Sequence, residues 1–400
     1  MTTRSACSAL FVTGLWLLAS CEGRVAGGDP HDGGGSPDAG VDAIADLGAP
    51  DVAPDAAPQC PTGSPVWTQR LPTNSPGARA SVGMVFDSLG ERVVLFGGIV
   101  GNTTMPGAGT WVWSGETWTE LTPATSPPAR AEPAMAYDPS CDRIVMFGGI
   151  TLFAGMPGSV FVNDTWEFDG TTWWQASPGS QSPAGPGCTF TSSPSDPDPR
   201  FEASMAFDPH RGRVVMFGGG TCPDGRFDDF NDVWEYDCAS HQWFSRPVAS
   251  GGPVPAGRRL AAMGFHEGSD TMVVSGGGVT EYDEVDETWL LDWDGNDVVW
   301  TAGPVGPSAR MGAGLVYDAA RDLLVLYGGV GTHGSPIWPE DTWEWDGTAW
   351  SEHVVDGPPP RYVHGMAWDA ASCEVVLFGG IFDPGGAGMP LDQTWTLGVP

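Results

Sequence analysis

Short apolar segments alternate with polar turns along this chain, and the alternation repeats about every fifty residues. Five of the six repeats begin with a segment in which Met and an aromatic residue stand two positions apart, as at Met84 and Phe86, so their side chains share one face of a predicted strand. A continuous apolar run such as residues 92–96 then ends in a Gly-Gly pair, which indicates a strand covered on both faces. In the first five repeats two more segments follow, each with a Trp, and a polar turn separates them. The pattern therefore predicts four strands in each repeat.

The repeat has a fixed register in its first half. The pattern Arg-x7-Asp-x9-Gly-Gly occurs five times, and a sixth copy has His266 in place of the aspartate. The copies begin at Arg79, Arg130, Arg200, Arg258, Arg310 and Arg361. Successive arginines are 51, 70, 58, 52 and 51 residues apart, so the length varies in the connections. A constant core with variable loops at this period is typical of a sheet protein built by radial repetition.

Several features of the repeat resemble one known family. An aspartate after an aromatic residue, an apolar run into Gly-Gly, an Asn-Asp-x-Trp segment and a final Trp are together similar to the Kelch repeat, six times over residues 65–400. The resemblance implies an all-β, six-bladed β-propeller with four antiparallel strands in each blade. The sixth repeat ends without a fourth strand, whereas residues 66–71 resemble the fourth strand of the first repeat. We therefore expect the N-terminal strand to complete blade 6 and close the ring.

The N-terminal segment predicts export. Arg4 precedes an apolar stretch over residues 6–18, which is too short to span a bilayer as a stable helix. The Leu-Ala-Ser-Cys sequence that follows resembles the lipobox of bacterial lipoproteins, so we predict a signal peptide over residues 1–20 and lipidation of Cys21. Residues 21–59, rich in Gly, Asp, Ala and Pro, predict a flexible tether ahead of a propeller over residues 60–400. We expect a monomer that is anchored to the bacterial envelope by its lipid alone, either in the periplasm or at the cell surface.

The charge narrows the class of partner. The formal net charge is −33, from 50 acidic residues and 17 basic residues, all of them arginine. Such a surface repels phosphate backbones, which argues against nucleic acid and leaves a protein or glycan as the expected ligand.

The cysteines that remain after residue 21 are even in number, as expected for disulfides in an exported chain. Ring closure brings Cys60 close to Cys373, in the turn between the first two strands of blade 6, and predicts a disulfide there. Cys188 and Cys222 lie in loops of the opposite face and form the second expected pair. Cys141 and Cys238 are left as the third pair by elimination.

The connections that enter each blade and those that follow the Gly-Gly pairs emerge on one face, which we call the loop face, and it is the expected binding surface. Two of its loops, residues 224–232 and 281–287, are rich in Asp and Glu. Neither has the Asp-x-Asp-x-Asp-Gly spacing of a calcium loop, so both predict a solvated acidic edge.

The candidate binding residues are the six arginines of the repeat, together with Glu132, Glu202 and His364. Arginines at one mouth could hold a carboxylate or sulfate. Their equal repetition favours a structural role instead, in which each pairs with a carboxylate of a third strand. The expected partners are Glu167, Glu235 and Glu344.

An enzyme is the competing class. Glu132 and Glu202 follow their arginines by two residues, and paired carboxylates can act as acid and base on a glycan. Some relatives with Kelch repeats are sialic acid epimerases or copper oxidases similar to galactose oxidase, and the copper of the latter needs Tyr and His converging on the axis. This chain has Tyr362, His364 and His333 near one mouth but no second plausible pair, so we expect no metal or cofactor. A binding module is favoured over a carbohydrate-active enzyme of the epimerase or oxidase type.

Overall fold

Six four-stranded antiparallel sheets surround a central channel, with the first strand of each sheet contacting the first strands of its two neighbours. The computed structural model describes residues 60–101, 103, 105–152, 159–183, 195–221, 228–279, 283–331, 337–382 and 388–400. The expected all-β, six-bladed propeller is confirmed. Within these ranges no helix has the length and apolar character needed to cross a membrane.

The strands occupy equivalent positions in the six blades. The first, innermost strands are Gly83–Asp87, Ala134–Asp138, Ser204–Asp208, Ala262–His266, Gly314–Asp318 and Gly365–Asp369. The second strands are Arg92–Phe96, Arg143–Leu152, Arg213–Phe217, Thr271–Ser275, Leu323–Tyr327 and Glu374–Phe378. The third strands are Thr110–Trp113, Ser159–Phe168, Val233–Asp237, Thr288–Asp294, Thr342–Trp345 and Thr394–Gly398. The fourth strands are Trp118–Leu121, Trp173–Ser177, Gln242–Arg246, Asp297–Ala302, Trp350–His353 and Val66–Arg70.

Short additional strands lie on the loop face. They are Arg79–Ala80, Ile99–Val100, Arg130–Ala131, Gln181–Pro183, Gly220–Thr221, Asp228–Asp229, Ile381–Phe382 and Met389–Pro390. Most of them pair the segment at an arginine with the segment after a Gly-Gly pair, or close the loop between the second and third strands.

The ring closes through the N-terminal strand, as expected. Val66–Arg70 pairs antiparallel with Thr394–Gly398, so both ends of the described chain contribute to blade 6. A disulfide joins Cys60 to Cys373 across a separation of 313 residues and links the closing segment to that blade. A second disulfide, Cys141–Cys238, links blades 2 and 3. These are two of the three expected pairs, whereas Cys21, Cys188 and Cys222 lie outside the described residues.

The segment from the arginine to the aspartate of each repeat does not form one unbroken strand. The residue two positions after each arginine has a positive φ and interrupts the strand. The six φ values are 57° at Ser81, 59° at Glu132, 56° at Glu202, 53° at Leu260, 67° at Gly312 and 48° at Val363. The backbone N–H of each donates to the carbonyl of its equivalent in the preceding blade, over 2.8 to 3.4 Å. These six bonds form a closed ring about the axis, which accounts for left-handed backbone at five residues other than glycine.

The Gly-Gly pairs hold neighbouring blades together. The second glycine of each pair donates its N–H to the carbonyl of the next blade's arginine, as Gly98 does to Arg130 over 2.9 Å. A β-carbon on Gly97, where φ is 72°, would overlap that same carbonyl oxygen. Glycine is therefore required by the contact between blades as well as by the backbone conformation.

Buried apolar side chains fill every interface between blades. Met84, for example, packs with Trp118 of its own blade and Phe378 of blade 6. In five of the six interfaces a fourth-strand Trp also donates its indole N–H to a Thr of the preceding blade, as Trp243 does to Thr165 over 2.9 Å. The exception is Trp300, whose buried indole nitrogen has no partner within the described chain because Val233 stands at the threonine position.

The substitution at His266 preserves the turn that the aspartates form. The aspartates of the other repeats accept backbone N–H groups of the turn after the first strand, as Asp318 does from Ala320. His266 accepts the N–H of Ser269 on Nδ1 over 3.0 Å. Its Nε2 lies 2.9 Å from the carbonyl of Asp322, so the neutral tautomer with the proton on Nε2 satisfies both contacts.

Candidate functional site

The six repeat arginines are buried where the inner strands meet the loop face. Each donates from Nη1 to the carbonyl of the first glycine of its own Gly-Gly pair, over 2.9 to 3.1 Å. Their exposed fractions lie between 0% and 5%. A charge buried this deeply requires an ion pair or hydrogen bonds. The partners of each arginine therefore determine whether it has a structural role or is available to a ligand.

In four blades the partner is a carboxylate that stands two residues before the third-strand Trp. In blade 2 Asp164 accepts two bonds from Arg130, over 2.6 and 2.8 Å, and also accepts the indole N–H of Trp166 over 2.7 Å. We call this arrangement the Arg–carboxylate–Trp triad. The equivalent carboxylates in blades 3, 4 and 5 are Asp232, Glu287 and Asp341. Blade 6 has the amide oxygen of Gln393 in the same position, 2.6 Å from Nη2 of Arg361.

The expected carboxylate partners were wrong, although ion pairing in the interior was expected. Each true partner lies three residues before the expected one, and residues three apart on a strand point to opposite faces. Glu235 instead pairs with Arg211 and Arg246, Glu344 pairs with Arg321, and Glu167 accepts the Tyr236 hydroxyl.

The triads change the titration of their members. Burial acts to raise the pKa of Asp232, but the charge and hydrogen bonds of Arg200 outweigh it and the pKa lies below the ordinary value. The same balance lowers the pKa of Asp341. In blade 6, where the partner is a neutral amide, burial lowers the pKa of Arg361 to about 10.

Blade 1 lacks a complete triad because Gly109 occupies the position of the carboxylate. Arg79 keeps its bond to the Gly97 carbonyl over 3.1 Å and donates to Pro76, but its Nε has no partner among the described residues. The indole nitrogen of Trp111 likewise has no hydrogen-bond partner among the described residues. Burial lowers the pKa of Arg79, and the more distant charges of Glu120 and Asp392 only oppose that effect.

The second and third residues after the arginines line the channel mouth, above a cavity of about 200 Å³. Glu132 and Glu202 are both buried in this lining. Glu202 lies 3.5 Å from Arg259, which also binds Asp229, and the Ser81 hydroxyl lies 3.4 Å from Glu132. Carboxylates buried against an arginine favour a structural role over acid–base chemistry.

Sequence reasoning missed Arg259 as part of this cluster. It follows a repeat arginine directly, at a position that other blades fill with apolar residues such as Ala131 or Met311. The doublet Arg258–Arg259 was the available signal. Asp229, Asp232 and Glu287 form ion pairs with Arg259, Arg200 and Arg258, so for these three carboxylates the expectation of a purely solvated edge is wrong. Asp283 and Asp286 of the second acidic loop are exposed.

His364 lies in the channel lining but is enclosed. Its two ring nitrogens have no hydrogen-bond partner among the described residues, and its ring packs 5.9 Å from that of Tyr327. Burial, followed by the charge of Arg361, lowers the pKa of His364 to about 3, so the side chain is neutral at physiological pH. Tyr362 packs in a separate apolar cluster with Trp338, and His333 lies outside the described residues.

One group of potential metal ligands occurs in the described part of the chain, and it combines Asp138 with Cys141 and Cys238. The two cysteines are joined to each other as a disulfide. Because thiolates rather than disulfide sulfurs bind metals, this group is a covalent link between blades.

Exposed apolar side chains occur on the loop face of three consecutive blades. Met105 of blade 1, Ile337 of blade 5 and Met389 of blade 6 are 55%, 53% and 46% exposed. All three lie in the connections that follow Gly-Gly pairs. Trp338, next to Ile337 in sequence, is half-buried, and its ring lies 6.4 Å from that of Phe382. We call this part of the loop face, over blades 5, 6 and 1, its apolar side. The charged residues Glu132, Glu202 and Arg259 of blades 2 to 4 are buried at the channel mouth.

Comparison with known proteins agrees with this architecture. Residues 188–380 match the KLHDC2/KLHL20/DRC7 Kelch-repeats domain. The fold is a six-bladed propeller, and this match over part of the chain is consistent with the resemblance of its repeats to Kelch repeats. The solved structure of YjhT superposes with a TM-score of 0.58 at 14% identity, covering 80% of this chain and 95% of that one.

A second relative shares sequence over a shorter region. The flagellar outer arm dynein alpha chain of Chlamydomonas reinhardtii is 28% identical over 163 residues. The match covers 38% of this chain and 3% of the dynein chain. This chain thus spans a small part of that relative. Propellers of the Kelch type commonly mediate protein interactions, so the fold suggests a protein-interaction module.

Proposed function

We propose that this propeller is a binding module of the bacterial cell envelope, and that it recognises a protein through the apolar side of its loop face. The observation that carries the proposal is the exposure of Met105, Ile337 and Met389 on three consecutive blades. Clustered exposed apolar side chains mark interaction surfaces, and Met adapts well to a partner. Five of the six repeat arginines bind an acceptor side chain inside the fold, so the residues that vary between blades are the ones available to recognise a protein.

The test is capture of partners from envelope extract by the mature protein, with two variants. Ile337→Asp places a charge on the proposed surface. Leu89→Asp is the matched control, because Leu89 is also exposed but lies in the turn between the first two strands, on the opposite face. Ile337→Asp should lower the recovery of a specific protein at least about tenfold, equivalent to 1.4 kcal/mol. Equal recovery by both variants would contradict the proposal, and binding of a glycan rather than a protein would replace the partner class.

Attachment to the envelope is a separate part of the proposal and rests on the sequence around Cys21. The two disulfides are in keeping with an oxidising compartment. Mass spectrometry of the mature N-terminus should find a lipid on Cys21. An unmodified N-terminus beyond that residue would refute the anchor and leave the binding surface unaffected.

A further inference from the structure

The incomplete triad of blade 1 leaves the buried side chains of Arg79 and Trp111 without the shared carboxylate acceptor of the other triads. Arg79 is 5% exposed and Trp111 is 9% exposed. The guanidinium carbon of Arg79 lies 5.9 Å from the centre of the Trp111 ring. In blades 2 to 5 the equivalent pair of donors shares one carboxylate, which in blade 2 accepts bonds of 2.6 to 2.8 Å from both side chains. Buried donors without acceptors are unfavourable, and charged donors are the most unfavourable.

The nearby acidic residues do not replace the missing carboxylate. Among the described residues no carboxylate forms an ion pair with Arg79, whose Nη1 and Nη2 donate to the backbone carbonyls of Gly97 and Pro76. Glu120 and Asp392 are exposed and act on Arg79 through charge. Glu120 pairs across the strands with Trp111, and its Oε1 lies 3.1 Å from the point where a β-carbon of residue 109 would stand, but neither Arg79 nor Trp111 donates a hydrogen bond to it. Asp392 accepts a hydrogen bond from Ser75 instead.

The position itself is accessible from the loop face. Gly109 is half-buried, and its neighbour Ala108 is exposed. The indole nitrogen of Trp111 lies 2.7 Å from the point where a β-carbon of residue 109 would stand, so the indole already points at this position. Gly109 has no positive φ, and a side chain there requires both the indole ring of Trp111 and the Glu120 carboxylate to move.

We propose that blade 1 binds a carboxylate supplied from outside the fold, with Arg79 and Trp111 as its donors. The bound group would take the role that Asp164 plays in blade 2, accepting from the guanidinium and from the indole N–H. Guanidinium–carboxylate pairing is strong and directional, and exclusion of water by the surrounding loop strengthens it. The carboxylate can come from a small organic acid or from an acidic side chain of a protein. This site does not depend on the apolar surface proposed above.

The experiment follows the indole N–H resonances of the folded protein by NMR during titration with sodium acetate, at constant ionic strength set with sodium chloride. The Trp111→Phe variant assigns the resonance by its disappearance. We expect a saturable shift of that resonance, with a dissociation constant in the millimolar range for so small a ligand. A parallel titration uses a blocked Gly-Asp-Gly peptide, whose single carboxylate is the aspartate side chain. A tighter response to the peptide identifies a protein side chain as the source, and a tighter response to acetate identifies a small acid.

Two variants of equal charge make the test specific. Gly109→Asp supplies the carboxylate from within and should weaken acetate binding at least about tenfold. Ala108→Asp adds the same charge at the neighbouring exposed position and should leave binding within about twofold of wild type. The proposal is overturned if the Trp111 resonance does not respond to either ligand, or if the two variants weaken binding equally. Capture of a protein by the apolar side of the loop face would not support the carboxylate site, and failure of that capture would not contradict it.

Discussion

Blades 1 and 2 share the same four-stranded sheet, the same Gly-Gly contact with the next blade and the same buried arginine, yet they satisfy that arginine differently. Arg130 in blade 2 is fully buried against Asp164, and Trp166 donates to the same carboxylate. Arg79 in blade 1 is almost as buried but faces Gly109. The backbone of blade 1 nevertheless makes the same contacts as the other blades, since Gly380 donates its N–H to the Arg79 carbonyl over 3.0 Å.

This difference divides the six repeat arginines, which look equivalent in the sequence, into two kinds. An arginine that repeats equally in every blade belongs to the scaffold when its partner repeats with it. Where the partner is missing, the same arginine keeps its N–H groups and can donate them to a bound ligand. The comparison therefore directs attention to departures from the repeat rather than to the repeat itself.

The largest expected effect comes from removing a triad in blade 2. Asp164→Ala should lower the free energy of unfolding by about 3–5 kcal/mol, because it leaves the buried charge of Arg130 without its counterion. Asp164→Asn should cost less, since blade 6 shows that the amide of Gln393 can accept from an arginine. Urea unfolding of the two variants measures both losses. A loss below about 1 kcal/mol for the alanine variant would mean that the triads contribute little, as at exposed ion pairs.

A second effect follows from the lowered pKa of Asp232 in blade 3. A carboxylate with a folded pKa below its unfolded value adds stability above that unfolded value, about 3.9, and the addition disappears as the pH falls through the folded pKa. The difference in unfolding free energy between wild type and Asp232→Asn should thus be about 1–3 kcal/mol at neutral pH and shrink below about pH 4. Unfolding measured at several pH values tests this. A difference that does not change with pH would show that the Arg200–Asp232 charge interaction is unimportant.

Completing the triad of blade 1 should have a smaller effect in the opposite direction. Gly109→Asp should raise the free energy of unfolding by about 1–2 kcal/mol, because it gives Arg79 and Trp111 a shared acceptor. Gly109→Ala is the matched control, since it includes the gain from reduced freedom of the unfolded chain without the carboxylate. Thermal and urea unfolding compare the two. Equal stability of the aspartate and alanine variants would remove the basis for the comparison between blades.

The smallest expected effect concerns the other break in the repeat. Val233→Thr should stabilise the interface between blades 3 and 4 by up to about 1 kcal/mol, because it provides the acceptor that Trp300 lacks. Thr165→Val makes the reverse change where Trp243 has its partner, and should cost a similar amount. If both substitutions are neutral in urea unfolding, the indole–threonine bonds do not hold the blades together.

The sequence allowed the number of blades, the closing strand and two disulfides to be predicted, because the motifs lie in constant register and the missing fourth strand has a visible counterpart at residues 66–70. It did not predict the left-handed residues such as Glu132, because their cause is a ring of bonds between blades that no single repeat reveals. The partner of each arginine was misplaced by three residues for a similar reason, since alternation along a strand cannot show where the strand begins. The absence of a carboxylate at Gly109 was visible in the sequence, but its meaning depended on the geometry of Asp164.

The most direct test of the central claim, that a break in the repeat creates a site, is the acetate dependence of stability in wild type and in Gly109→Asp. A ligand that binds only the folded state raises the free energy of unfolding with its concentration. Acetate, compared with chloride at the same ionic strength, should stabilise the wild-type protein and leave Gly109→Asp unchanged. An equal response of the two proteins, or no response in wild type, would contradict the account.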